Sequence, residues 1–373
     1  MTMTMPGSIP LTRADSPLGR TVSGHPTDIW NDSCAEEELA YALSYGAVGA
    51  TANPTIVVDV WNKDPARWRA RAATIATDRP TATPEDVAWA VVEEMSVTGA
   101  RSLEPVFEAQ AGRQGRLSVQ TDPMLYRSSD AIVAQAVRFD ALAPNMIVKI
   151  PATAAGVAAI EEATWRGVSI NVTVSFTAAQ CIAAAEAIER GLRRRDEAGL
   201  DTTRMGPVVT LMMGRIEDWL RVLVERDGLT VSPDALPWSG IAVFKRTYRE
   251  FQARGFRARL LGAAIRHHYH WSELIGGDVV ITLPFAWQQR FNASDVEVRA
   301  RIDEPVAAAY LDDLRRHLPD FVRAFEPDGL AIGEFDGFGA TARTLRTFIA
   351  SRQELVRLVT DTLIPDPDKR PSA

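Results

Sequence analysis

Eight short runs rich in β-branched residues recur along the chain, separated by longer stretches with apolar residues at three- and four-residue spacing. The runs are 27–31 (TDIWN), 47–51 (AVGAT), 116–120 (RLSVQ), 145–150 (NMIVKI), 168–174 (VSINVTV), 207–212 (PVVTLM), 257–262 (RARLLG) and 278–283 (DVVITL). The helical stretches include 34–45, 128–142, 153–165 and 177–198; apolar periodicity of this kind separates helix from strand. Helix-start signals stand at Ser129-Asp130 and at Thr83-Pro84-Glu85-Asp86. Strands alternating with helices pair in parallel under a helical cover. Eight such units within about 260 residues predict an α/β fold, a (βα)8 TIM-type barrel. An open doubly wound sheet is the alternative. A nucleotide-binding version would advertise a Gly-rich strand–helix turn, and neither GxGxxG nor GxxxxGK[ST] occurs. The expected layout is a mobile arm over 1–24, a single catalytic barrel over 25–363 and a loose tail over 364–373. Helical segments near 303–327 and 339–361 are expected to pack outside the barrel.

Composition narrows the function. A net charge of −7 implies no general affinity for nucleic acid or anionic membrane, so an anionic substrate would need its own arginine cluster. The nine tryptophans are scattered, without the aromatic-basic interleaving of a nucleic-acid surface. No signal-peptide run and no stretch of transmembrane length occur. Cys34 and Cys181 fit neither a disulfide framework nor a metal spacing, and a reducing cytoplasm is the expected location.

Of 41 basic residues only four are lysine: Lys63, Lys149, Lys245 and Lys369. Lys63 sits in the polar run NKDPAR, Lys369 in the tail, and Lys245 in FKRTYRE is read as part of a charged helix face. Lys149 alone lies in an apolar run, MIVKIP. An unpaired ammonium is costly to bury. Facing the helices, Lys149 would be a defect; facing the barrel interior, it can shed its proton and become a nucleophile. A neutral amine there suits attack on a ketone. The resulting iminium withdraws electrons from the adjacent C–C bond, which can then break.

The ends of the other strands carry further polar groups. Asp32 follows strand one, Asn53 strand two, and Gln120 ends strand three. Strand five carries Asn171 and Thr173, strand six Thr210 followed by Arg215, and Arg266 follows strand seven. Each has an ordinary reading. An Asp after a strand is often a helix cap, Asn-Pro starts turns, and an Arg opening a helix is usually solvated. Together they offer more. Asp32 can take and return the hydroxyl proton during bond cleavage. Arg215 and Arg266 provide two forks for a phosphate. Asn53, Asn171 and Thr173 can hold sugar hydroxyls and a water.

The segments GATANPTIV (49–57), RLSVQTDP (116–123), NMIVKIPATAAGVAAIEEATWRGVSINVTVSFTAAQ (145–180), TLMMGRIEDW (210–219) and LLGAAIRH (260–267) resemble the transaldolase family. The resemblance covers most of 27–295. It implies a barrel enzyme with Lys149 as the Schiff-base lysine, Asp32 as acid/base and Thr173 positioning the catalytic water. It implies Asn53 and Asn171 on substrate hydroxyls and Arg215 and Arg266 on phosphate. The implied reaction moves a dihydroxyacetone unit between sugar phosphates, as in the pentose phosphate pathway, without metal or diffusible cofactor. Small sugar phosphates are the expected partners, and the chain is expected as a monomer or homodimer.

Three positions depart from the family pattern. Gln120 stands where a proton-shuttling Glu is usual, and the fructose-6-phosphate aldolase branch resembles this chain in that. Ala264 replaces a phosphate-site serine. Thr210, Leu211 and Met212 replace a Ser-x-aromatic pattern, which softens the pocket wall. An aldolase is therefore the second reading, and a silent binding paralogue a third. The HHYH run (His267, His268, His270) suggests metal only weakly, because no carboxylate or cysteine stands at a standard partner spacing. Cys34, close after Asp32, is read as a buried structural thiol, with a place at the pocket mouth as the alternative.

Overall fold

A computed structural model describes residues 13–368. All eight expected strands form: β1 (Asp28–Asn31), β2 (Gly49–Thr51), β3 (Arg116–Gln120), β4 (Met146–Pro151), β5 (Ile170–Thr173), β6 (Val208–Leu211), β7 (Arg259–Gly262) and β8 (Val280–Leu283). Each pairs in parallel with the next, and β8 returns to β1, closing the barrel in chain order. The chain thus folds as a (βα)8 barrel, with additional helices after β8.

Side chains of a strand alternate between faces. Trp30, Ile147, Val208, Leu261, Ala263 and Val280 pack together as an apolar plug inside the barrel. Met146, Val148 and Ile150 belong instead to the larger core between sheet and helices. Two residues beyond four of these plug residues the same inward row turns polar: Asp32 after Trp30, Lys149 after Ile147, Thr210 after Val208, Thr282 after Val280. The barrel therefore has an apolar floor and a polar layer towards its C-terminal mouth. Gly49 makes the floor possible, because a Cβ there would lie 2.5 Å from the Trp30 indole.

Helix starts follow local chemistry. Thr83 and Asp86 close a reciprocal capping box on the helix Pro84–Ala109. The helix Ser129–Asp140 begins where expected, although its cap residue is Ser128 and makes no side-chain bond. Residues 17–24, expected within the mobile arm, instead form a helix, Pro17–Gly24. Leu18 is buried, its N–H donates to Asn292 Oδ1 (3.2 Å), and Trp271 Nε1 donates to Thr21 Oγ1 (3.2 Å). The remainder of the arm through residue 12, and the tail beyond 368, lie outside the described residues. The segment near 303–327 divides into two helices, Ala308–His317 and Pro319–Phe325. Pro319 explains the break, since a proline disfavours helical backbone in the residue before it. The last helix, Gly339–Leu363, packs on Pro54–Lys63, Pro65–Asp78 and Pro84–Ala109. Among the described residues no helix is long and apolar enough to cross a membrane.

Lys245 corrects the sequence reading. It lies in the helix Ser239–Arg254 and is only 2% exposed. Its ammonium donates to Glu273 Oε2 (2.8 Å), Arg301 O (2.8 Å) and Glu304 O (2.9 Å), which uses all three of its donors. The helix is thereby locked to the segment after β8. Removing one partner of a buried pair strands the other, so Lys245→Met should cost about 3 kcal/mol or more. Lys245→Met combined with Glu273→Gln should recover part of that loss. Chemical denaturation checks both, and equal losses in single and double variants would refute the lock.

Candidate active site

Lys149 projects from β4 into the polar layer and is 5% exposed. Burial pushes its ammonium down from the ordinary lysine range to about 8, with the charge of Asp32 opposing the shift. Among the described residues it has no hydrogen-bond or ion-pair partner within 4 Å. Desolvation without an acceptor favours the neutral amine.

Asp32 is not a helix cap, because the following helix, Glu36–Ser44, starts from Ala35. Its Oδ1 accepts from Thr51 Oγ1 (2.5 Å), and Thr51 Oγ1 lies 3.1 Å from Thr282 Oγ1. A pair of strand hydroxyls thus orients the carboxylate towards the mouth. Asn53 fits both of its readings. Its Oδ1 caps the helix Pro54–Lys63 by accepting from Thr55 N (2.9 Å) and Ile56 N (3.0 Å), while the residue also lines the pocket.

These groups surround an open pocket of about 940 Å³ that also takes in Thr173, Thr210, Met212, Arg215, Arg266 and Thr282. Thr173 is buried at the end of β5, and the next residue, Val174, has φ +52°. A β-branched residue at positive φ needs support. Gln180 gives it, donating to Val174 O (3.2 Å), Ala152 O (3.1 Å) and Thr341 Oγ1 (3.2 Å), and accepting from Phe176 N (2.9 Å).

Two expected site residues stand differently. Asn171 is fully buried and outside the pocket lining. Its Nδ2 donates to Ser118 Oγ (2.9 Å) and its Oδ1 accepts from Thr210 Oγ1 (2.7 Å). The amide braces β3, β5 and β6. Gln120 is registered beside Lys149, yet its side chain lines an adjoining apolar cleft with Trp89, Val92 and Leu355. Its Oε1 is buried without a hydrogen-bond partner. Asn53 lines both spaces.

The arginines differ in how they are held. Arg266 is exposed and bidentate on Asp218 (Nε–Oδ1 3.1 Å, Nη2–Oδ2 2.6 Å). Arg215 is half-buried, with its guanidinium over the Phe348 ring at 5.3 Å. Burial, and the nearby positive charge of Arg266, lower the Arg215 pKa. Gly214 allows this turn, since a Cβ would lie 1.8 Å from Ala264 O. Ala264 itself sits at φ +64°.

A carboxylate does meet the histidine run, contrary to the spacing argument. Glu217 Oε2 lies 3.1 Å from His267 Nε2 and 3.6 Å from His270 Nε2. Arg221 holds the other oxygen (2.7 Å). However, His270 Nδ1 accepts from Arg266 N (3.2 Å), so the ring's proton sits on Nε2, facing Glu217. Protonated there, that nitrogen has no lone pair to give a metal, and it faces Glu217 without closing a hydrogen bond, so only the His267–Glu217 contact ties the trio together behind Arg266. Burial, together with His267 and Arg266, keeps His270 well below the ordinary imidazole range. Cys34 is buried, as expected, but lines a different cleft, beside Trp68 and Met95.

Sequence reasoning missed Thr51, Thr282, Asp59 and Phe348. Thr51 stands two residues before Asn53, and Thr282 two after Val280, so period two could have placed both. Asp59, whose carboxyl is raised by burial, and Phe348 line the pocket from helices and left no strand signal.

Only a free amine can attack a carbonyl, so reductive trapping of a ketone on Lys149 should accelerate as pH rises towards about 8 and level off above. Asp32→Asn removes the charge that raises the lysine pKa, so that limb should move to lower pH. A trapping rate independent of pH between 6 and 9 would contradict this description.

Comparison with known proteins agrees with this geometry. A 214-residue segment is 30% identical to transaldolase 2 of Streptomyces avermitilis, covering 55% of each chain. A 251-residue segment is 29% identical to a transaldolase of Acidothermus cellulolyticus, covering 62% of this chain and 64% of that one. A third, of 216 residues, is 30% identical to a transaldolase of Thermobifida fusca, covering 54% and 56%. The chain thus spans between about half and two thirds of the length of these relatives. Residues 29–328 match the family model described as transaldolase/fructose-6-phosphate aldolase, and the chain belongs to that family.

Proposed function

We propose that the protein transfers a dihydroxyacetone-type ketol unit between phosphorylated sugars through a Schiff base on Lys149. The carrying observation is a buried lysine without an acceptor, its pKa near 8, sharing one pocket with Asp32. The amine attacks the C2 carbonyl of a ketose phosphate and water leaves, giving an iminium. Asp32 takes the C4 hydroxyl proton as the C3–C4 bond breaks, and the bonding electrons pass into the iminium to leave an enamine. An aldose phosphate then accepts that enamine at its aldehyde, Asp32 returns the proton, and water frees the product ketose. Thr173, with no side-chain partner among the described residues, is placed to hold that water. Arg215 and Arg266 receive the phosphate as planar forks. Arg266 must loosen its hold on Asp218 to do so.

Gln120 favours a second reading, a fructose-6-phosphate-aldolase-like enzyme that releases the enamine by protonation. An amide can hold a water but cannot accept its proton, and Gln120 Oε1 has no partner of its own. A time course with fructose 6-phosphate, with and without erythrose 4-phosphate, separates the two. Transfer requires the acceptor; cleavage without it identifies the aldolase. Borohydride trapping and peptide mapping should place the adduct on Lys149, and Lys149→Ala should abolish it. Gln120→Glu should change the rate of adduct formation without moving it. No adduct with any ketose would favour the silent paralogue.

A further inference from the structure

We infer that the helix Gly339–Leu363, outside the barrel repeat, is a wall of the substrate pocket, and that Phe348 on it is a positioning residue for Arg215. The inference rests on the phosphate-binding reading of Arg215.

Phe348 is fully buried and lines the pocket that holds Lys149 and Asp32. Its ring lies 5.3 Å from the Arg215 guanidinium carbon. Among the described residues Arg215 has no hydrogen-bond or ion-pair partner, so the ring is its one specific contact. The two clamp arginines are therefore held in opposite ways. Asp218 holds Arg266 through the N–H groups a phosphate would need. Phe348 holds Arg215 through the ring, and among the described residues no N–H of Arg215 is committed to an acceptor. A ring-held guanidinium keeps its place without a competing anion.

The helix is itself fastened to the elements that follow β2, β3, β5 and β6. Ser351 Oγ lies 2.9 Å from Thr55 Oγ1, next to the Asn53 cap. Thr341 accepts from Gln180, the residue that fixes the backbone after Thr173. Arg343 Nη1 donates to Asp218 O (3.3 Å), beside the Arg266 pair. Arg352 pairs with Asp122, beyond β3 (3.5 Å). Four attachments, three to helices that follow barrel strands and one to the turn after β3, place Phe348 relative to Arg215.

The test compares Phe348→Leu with the unaltered chain, using fructose 6-phosphate and fructose as trapping probes. Loss of the ring should raise the ratio of half-saturating fructose 6-phosphate to half-saturating fructose by about 3- to 30-fold. KM for the phosphorylated sugar should rise while kcat stays within about twofold. Phe348→Tyr should restore both. In an Arg215→Met background, Phe348→Leu should add nothing to the ratio. Equal losses for both sugars, or a full effect without Arg215, would overturn the inference. Should Phe348→Leu melt early, Phe348→Met serves, because it keeps bulk without a π face. Calorimetric titration with inorganic phosphate reads the same contact without turnover, and an unchanged Kd in the variant would overturn it. Absence of any adduct in the unaltered chain overturns the Schiff-base reading instead, while the phosphate titration still judges Phe348.

Discussion

Closure of eight parallel strands leaves each strand with an inward and an outward row, and that alternation carries everything else in this molecule. The outward rows of β4 enter the shared core with the helices. The inward rows divide by height. Trp30 and its neighbours fill the lower barrel, and one step further the same rows present Asp32, Lys149, Thr210 and Thr282. A slip of one residue in β4 would send Lys149 into the apolar core and Val148 into the site. The register with Gln120 on one side and Asn171 on the other forbids that slip.

Much of the polar layer works on its own geometry. Thr51 and Thr282 aim Asp32, Asn171 ties Ser118 to Thr210, and Gln180 steadies the left-handed turn after Thr173. Charge is managed by separation. Asp32 raises the lysine pKa that burial lowers, and Asp218 and Glu217 engage Arg266 and the histidines further out. The pocket thus holds a lysine whose ammonium is weakened by burial together with a positively charged rim.

The barrel was legible because every strand carried its own period and turn chemistry, and boundaries agreed within two residues. That Lys149, Asp32 and the arginines line one pocket was legible for the same reason, since strand ends point to the mouth. What failed was non-local. Glu217 meets His267 across 50 residues. Phe348 reaches the pocket from a helix expected outside the barrel, and no periodicity announces a contact of that kind. Asn171 faces inward as expected, but neighbouring strands had already taken its amide. The helix Pro17–Gly24 was hidden by a Pro- and Ser-rich run whose Ser16 in fact caps it.

The two buried lysines show why burial alone cannot mark a nucleophile. Lys149 and Lys245 are both almost wholly enclosed, and desolvation lowers the pKa of each. Lys245 meets one carboxylate and two carbonyls at 2.8–2.9 Å, so its charge is fully hydrogen-bonded and its lone pair never becomes available. Lys149 meets no acceptor, and only the more distant charge of Asp32 favours its protonated form. The sequence separated them by flanking polarity, MIVKIP against FKRTYRE, a mistaken premise, because both are inside and the difference between them lies in their acceptors. The sound criterion is the acceptor count. A buried ammonium with three acceptors is structure, whereas one with none lies within reach of being an amine at neutral pH, and a carbonyl entering beside it is the partner its geometry leaves room for.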